Sequence, residues 1–464
     1  MDKKCFVFCI GGTGLRVMKS VLMMMSAGME TNGFTIVPII IDPHVELEEQ
    51  RNLSTLIGLY KTIHDEAWKS TNPTRGFFAG SVRSLQEVAG ETTTEMTSNE
   101  EHRTFGQFIG VDNIPSSDIN SLLVESLFSS KSIDSSLDVG FKGNPNVGTV
   151  VLGEQFASRG DIERFKTNVD DEDRIFIVSS IFGGTGASGA PLLQKIIRSS
   201  DNTPKLLNAV LGGVTVLPYF KLGDPERNHS DIDSSVFLTK ARAALSYYSD
   251  AIHPDYQYYI GEQNMKGSYE NNEQKQDNPA NFIELTAASS LFHFVYQPSP
   301  KSQGKTITFM RGIEQDVNVL DISTLGESYS DIVKCIADAH LLTLLTKSLP
   351  DEKWLPLRVT RNLNTHFYQD REFRNLFDWQ EGFEQWRNQL ESMERSFAVL
   401  AKDDINLRGI IKERVLNMDD ITHLYLQMLN TSRNDNNRNR SLLGTMLSYA
   451  FAAIDSYTAK IKKS

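Results

Sequence analysis

Cysteine is scarce in this chain: Cys5, Cys9 and Cys335 are the only three among 464 residues. Thiols so few and so scattered exclude a disulfide framework, and they lack the paired spacing of a structural zinc site. Long apolar runs are missing too. The run Phe6–Ile10 stops at glycines far short of the length that a membrane span needs. Positive charge is in deficit, with 47 Lys and Arg against 59 Asp and Glu and a formal net charge of −12. With no Lys/Arg block either, a general nucleic-acid binder is not expected. These absences predict a cytoplasmic protein in a reducing compartment, without a membrane span. The histidines (His44, His64, His102, His229, His253, His293, His340, His366 and His423) show no metal-ligand spacing, and none stands in a nucleophile motif with Ser or Cys. No protein-bound metal is expected from them.

Glycine, by contrast, is placed with purpose. The segment Ile181-Phe-Gly-Gly-Thr-Gly-Ala-Ser-Gly-Ala-Pro191 lies between a strand-like run, Arg174–Ser180, and a helix-like run, Leu192–Ile197. Glycines there let successive backbone N–H groups approach an anion, and the first turn of the next helix adds unpaired donors and the positive end of its dipole. A phosphate cradle is the expectation. Gly184-Thr-Gly-Ala-Ser-Gly189 also satisfies the G-x-G-x-x-G fingerprint of dinucleotide-binding units. The loop alone leaves an NAD(P)-dependent oxidoreductase open.

The chain length allows two or three domains. Lys4–Ile10 reads as a strand, Gly11–Gly14 as a tight turn, Leu15–Met29 as a helix and Phe34–Ile41 as a second strand. The near-continuous apolar character of both strands is that of a parallel sheet covered on both faces. Residues 45–140 read as an elaborated insertion with helices. Alternation then resumes with a helix over Glu154–Val169, strands at 174–180, Ala209–Leu217 and Tyr256–Ile260, and helices over Ser234–Ser249 and from Asn278 to about Tyr296. Past residue 330 the pattern turns helical. Phe383, Trp386, Leu390, Met393, Phe397 and Leu400 recur at steps of three and four, the stripe of a bundle helix. Thr431–Ser441 reads as a solvated loop.

In this order the segments resemble the nucleotide-binding domain of the tubulin/FtsZ superfamily, through five loops. Gly11-Gly-Thr-Gly14 matches its glycine-rich opening loop, Ile41-Asp-Pro-His44 stands where FtsZ has Asn-Thr-Asp-Ala, and Gly143-Asn-Pro-Asn-Val-Gly148 is close to Gly-Ala-Asn-Pro-Glu-Val-Gly. Phe182-Gly-Gly-Thr-Gly-Ala-Ser188 is similar to the Gly-Gly-Gly-Thr-Gly-Thr/Ser-Gly signature, and Gly213-Val-Thr-Val-Leu-Pro-Tyr-Phe220 to the strand leading into the ribose-side loop. Leu15, Phe182 and Ser188 depart from the family pattern. The resemblance covers about residues 4–296 outside the insertion. It implies an α/β fold with a Rossmann-like parallel sheet over residues 1–300, followed by a mostly helical region over 301–464, and a prokaryotic or phage source.

The resemblance further implies GTP or GDP with magnesium, self-association, including filaments of a cytoskeletal kind, and GTP hydrolysis at a site completed between subunits. Phosphate contacts fall to Gly11, Gly12, Thr13, Gly14, Gly183, Gly184, Thr185 and Gly186, with Asn144 closing over the terminal phosphate and Asp42 in the turn after the second strand. Asp224 or Glu226 would meet the ribose, and Phe282 would stack on the base, with Thr286 where the family reads the guanine edge. Asn168-Val-Asp-Asp-Glu-Asp173 reproduces the Asn-x-Asp-x-x-Asp spacing of the family's catalytic loop, but it precedes the signature strand and reads as a solvated turn. Asp316 and Asp321, after the central helix, are the nearest catalytic candidates. The alternatives are the oxidoreductase and a non-hydrolysing scaffold whose C-terminal helices bind another protein.

Overall fold

The computed structural model describes residues 3–42, 48–69, 71, 73–90, 103–115, 117–137, 141, 143–158, 160–222, 237–251, 253–262, 267–269, 278–300, 305–311, 319–320, 330–350, 363–393, 396–397, 418–434 and 440–461. Its centre is a six-stranded sheet of β1 (Lys4–Ile10), β2 (Thr35–Ile41), β3 (Arg174–Ser180), β4 (Val210–Val216), β5 (Tyr256–Ile260) and β6 (Ile307–Arg311). The spatial order is β2-β1-β3-β4-β5-β6, and every pair is parallel. This is the parallel α/β sheet expected from the apolar strands. β6 lies beyond residue 300 and was not among the expected strands.

Alternate side chains of β1 feed two cores. Cys5, Val7 and Cys9 enter one; Phe6, Phe8 and Ile10 enter the other, as a strand's period of two requires. Against the second face pack α4 (Pro145–Ser158), α5 (Gly160–Asn168) and α6 (Gly184–Ile197), where Phe165 meets Phe8 edge-on at 4.8 Å between ring centroids. The helix read over Glu154–Val169 is therefore two helices, α4 and α5, and the first begins at Pro145, a favoured first-turn residue.

The first face is deeper. It holds α1 (Gly11–Ser26), α2 (Glu48–Trp68) and α8 (Phe282–Val295), and over these lie α9 (Ser330–Ser348), α10 (Arg371–Ser392), α11 (Met418–Asn434) and α12 (Leu442–Ile461). One buried cluster runs from Cys5 to Ile454. The helix α2, inside the 45–140 insertion, packs on α1, α10 and α12. Of two further helices, α3 (Ile119–Leu127) buries no residue, and α7 (Phe237–Ala251) touches α6 and sends Phe237, Ala241 and Tyr248 into the first cluster.

Two local expectations are corrected. The apolar stripe is helical only through Leu390, because α10 ends at Ser392 with an extended Met393; Phe397 instead pairs with Leu320 in a short parallel bridge of strands, and Leu400 lies outside the described residues. Thr431 to Asn434 complete α11 rather than opening a loop. All three cysteines are free, and burial pushes the thiols of Cys5 and Cys9 up. Among the described residues no helix is long and apolar enough to cross a membrane, and no cluster of His, Cys, Asp and Glu fits a metal ion.

Candidate functional site

From β1 the chain crosses to β2 on one side, and from there it returns to β3 on the other, so the carboxyl ends of β1 and β3 form the point where the strand order reverses. In open α/β sheets the crevice at such a point is where ligands bind. A glycine loop follows each strand there, at Gly11 directly after β1 and at Gly183 three residues after β3. β1 runs without a break into α1, whose first residue, Gly11, has φ of +68°, a backbone state costly for side chains with a Cβ. The four residues read as a turn before the helix are thus its opening turn. β3 is followed by Ile181 to Gly183, and α6 starts at Gly184.

These loops touch one another. A Cβ at Gly11 would stand 3.3 Å from Thr185 Cβ and 3.6 Å from Gly186 N. At Gly184 it would stand 2.8 Å from Phe141 Cβ, 3.2 Å from Asn144 N and 3.3 Å from Gly143 N. Three glycine loops from distant parts of the sequence therefore meet at close backbone range, and side chains at these positions would force them apart. Neither α1 nor α6 has a side-chain cap at its N-terminus. Two helix starts, each with its donor-rich first turn, thus converge on the same crevice.

The remaining candidates fall as follows. Thr185 is half-buried beside Gly11, and Thr13 is buried, its Oγ1 accepting from Arg16 at 3.5 Å. Asn144 caps α4: its Oδ1 accepts from Asn146 N at 3.2 Å and Val147 N at 3.4 Å, while its Nδ2 donates to Ser132 Oγ at 2.8 Å. Lys240 of α7 ties the same loop down by donating to Gly143 O at 2.7 Å. Asp42 is half-buried at the carboxyl end of β2. Phe282 is buried at the start of α8 with its ring tilted on Phe397 at 5.1 Å, and the Thr286 hydroxyl donates back to Phe282 O at 3.0 Å. Asp224, Glu226, Asp316 and Asp321 lie outside the described residues. Phe182, which departs from the family signature, fills an aromatic cluster with Phe237 at 5.1 Å and Phe220 at 5.4 Å.

One element of the site was not read from the sequence. Arg16, one turn into α1 and 7% exposed, donates through Nε to Glu284 Oε1 at 2.7 Å, through Nη2 to Tyr219 Oη at 3.1 Å and through Nη1 to Glu49 at 3.4 Å. Tyr219 donates to the same Glu284 oxygen at 2.6 Å. The other Glu284 oxygen accepts from Asn281 N at 3.1 Å and closes a capping box on α8. Burial pushes the Glu49 carboxyl up to about 7 against the pull of Arg16, with Glu284 and Asp42 adding repulsion; burial likewise raises the Tyr219 phenol. The sequence signals were present, as an arginine two residues after a glycine loop at the start of a largely apolar helix and an Asn-x-x-Glu capping pattern before another apolar helix. Beside this network a cavity of about 370 Å3 opens between α1, α2 and α10, lined in part by Lys19, Asn52 and Trp386.

The Asn168–Asp173 segment sits at the opposite end of the sheet. Asp173 accepts from Lys4 N at 2.7 Å and Asp170 N at 2.8 Å, and Asp170 pairs with Lys205 at 2.9 Å and Lys4 at 3.2 Å. It is a turn that fastens β1 to β3 and has no part in the crevice.

No family model matches the chain, and no curated protein matches it. Among solved structures it is similar to a point mutant of FtsZ from M. jannaschii, at 14% identity over 56% of this chain and 47% of that one, with a TM-score of 0.25. It is also similar to an empty FtsZ dimer from M. jannaschii, at 15% identity over 63% of this chain and 53% of that one, with a TM-score of 0.27. The match spans about half the length of these FtsZ chains. TM-scores so low leave the site resting on this chain's own residues.

Proposed function

We propose that the chain is a divergent tubulin/FtsZ-like protein that binds a guanine nucleotide at the crevice between β1 and β3 and self-associates. The observation that carries this reading is the meeting of the Gly11, Gly143 and Gly183 loops at two uncapped helix starts. A polyphosphate fits such a place: backbone N–H groups of residues 11–14 and 183–186 would hold its oxygens, Thr185 would add a hydroxyl, and the Asn144 loop would close over the terminal phosphate. Magnesium would neutralise the charge that the phosphates bring. The base would lie toward the start of α8, where stacking by Phe282 requires its ring to leave Phe397. A dinucleotide fingerprint at Gly184–Gly189 accounts for only one of the three loops.

GTP hydrolysis, with Asp316 and Asp321 completing a neighbour's site, belongs to the same reading; without it the protein is a nucleotide-regulated scaffold. The test is a thermal-shift titration of nucleotide-stripped protein with GTP, ATP and NAD, magnesium present. A ligand at a hundred times its Kd stabilises by about 2.7 kcal/mol. A response to GTP alone is expected, whereas a response to NAD alone overturns the reading in favour of an oxidoreductase. Turnover that rises with protein concentration and falls in Asp316→Ala and Asp321→Ala supports hydrolysis between subunits.

A further inference from the structure

The helix α3 has an apolar stripe and buries none of its residues. Ile119, Leu122, Leu123 and Leu127 are 78%, 60%, 55% and 59% exposed. At 100° per residue they share one side, while half-buried Ser121 and Val124 turn the other side toward the protein. An ordered helix that presents its leucines to water marks an interaction surface. The polar side offers Glu125 and the N-cap is Asp118, with no Lys or Arg in the helix, so an anionic lipid surface is a poor match.

The same region holds a groove of about 1220 Å3 between the Gly143 loop, α6 and α7. Leu192, Ala244 and Tyr247 give it an apolar wall, and Lys131, Lys195 and Lys240 against the single acid Asp134 give its lining a positive balance. Ser129, two residues after α3, stands on its rim. Between them, Phe128 is held edge-on against Phe105 at 4.8 Å between centroids.

We propose that α3 of one copy docks by its leucine stripe in this groove of a second copy, and the reverse, as a two-fold dimer with two helix-in-groove contacts. Acidic Asp118 and Glu125 meet the groove lysines, and the apolar stripe meets the apolar wall. The contact needs no nucleotide, and of the phosphate crevice it shares only the Gly143–Asn144 loop at the groove's edge, not the Gly11 or Gly183 loops, so dimerisation of the nucleotide-free chain tests it apart from the nucleotide reading.

Sedimentation of the nucleotide-free chain tests it. The parent should dimerise with rising concentration, and the L122E/L123E variant, altered only at exposed positions, should keep its circular dichroism while dimerising about tenfold or more weakly. Single variants L123C and A244C, mixed, should form a disulfide between chains that neither forms alone. A parent that stays monomeric to about 100 μM, a dimer indifferent to L122E/L123E, or a mixture without the cross-link overturns the proposal. A loss of the GTP response with the dimer intact would instead count against the nucleotide site alone.

Discussion

The two ends of the central sheet carry rival motifs, and comparing them shows what spacing can and cannot say. At the carboxyl end, glycine loops that look unremarkable one by one meet within van der Waals range of one another's backbone. At the amino end, the Asn-x-Asp-x-x-Asp spacing is complete, yet its carboxylates are engaged by Lys4, Lys205 and backbone N–H groups. A motif becomes a site when the fold leaves its donors facing a crevice. At the amino ends of the strands the carboxylates are already engaged, and the motif becomes a staple.

The contrast predicts that changes at the carboxyl end alter both stability and nucleotide response, whereas changes at the amino end alter stability alone. The largest effect is expected for Arg16→Met, which strands the buried Glu284 carboxylate and should cost about 3–5 kcal/mol in urea unfolding. Arg16→Lys should recover only part of this, since an ammonium cannot serve Glu284, Tyr219 and Glu49 through a planar fork. Gly186→Ala comes next. Its Cβ would stand 2.5 Å from Ser180 O, so the start of α6 must shift, at about 1–3 kcal/mol, and the GTP-induced rise in Tm should vanish. Gly153→Ala is the control: nothing lies within 4 Å of its new Cβ in the middle of α4, and it should stabilise by roughly 0.5–1 kcal/mol with the GTP response kept.

Glu49→Gln tests the electrostatics of the carboxyl end. A carboxyl whose folded value is raised to about 7 contributes stability below its unfolded value that is lost as pH rises through the folded one. The variant should therefore gain on the parent between pH 5 and pH 8, by on the order of 2 kcal/mol in paired denaturation curves. The smallest effect is expected at the amino end. Lys205 and Lys4 hold the Asp170 carboxyl below its usual range, so its contribution is present above the unfolded value and fades as pH falls through the folded one. Because Asp170 is partly exposed, Asp170→Asn should cost no more than about 1 kcal/mol near neutrality. An altered GTP response in this variant would break the comparison.

Much of this was legible in the sequence for a physical reason. β1 to β5 are buried on both faces and so read as short apolar runs, and the glycine loops that follow β1 and β3 declare themselves because few other residues tolerate such close approach. β6 escaped notice because it is an edge strand whose Ile307, Thr308 and Met310 are exposed, so neither an apolar run nor a clean alternation marks it. The stripe in α10 was overread past its end because Phe397 keeps the helical spacing after the helix has stopped. Arg16 and Glu284 stand 268 positions apart, and no local pattern announces a partner at that distance. Asn144 could be placed near the crevice from its loop, but its use as a helix cap depends on Ser132, which the insertion supplies.

The long buried cluster also has a consequence in time. The methionines of α1, Met18, Met23, Met24 and Met25, lie in the cluster completed by Leu443, Ala450 and Ile454 of α12. Ribosomes add roughly 5–20 residues per second, so on the order of half a minute to more than a minute separates the emergence of α1 from that of α12. During that interval the early helices and strands present a soft, sulfur-rich surface. The chain thus completes around an early-made helix a cluster that needs a much later-made one, and an interruption of synthesis between the sheet and α12 would release a product with that cluster unfinished.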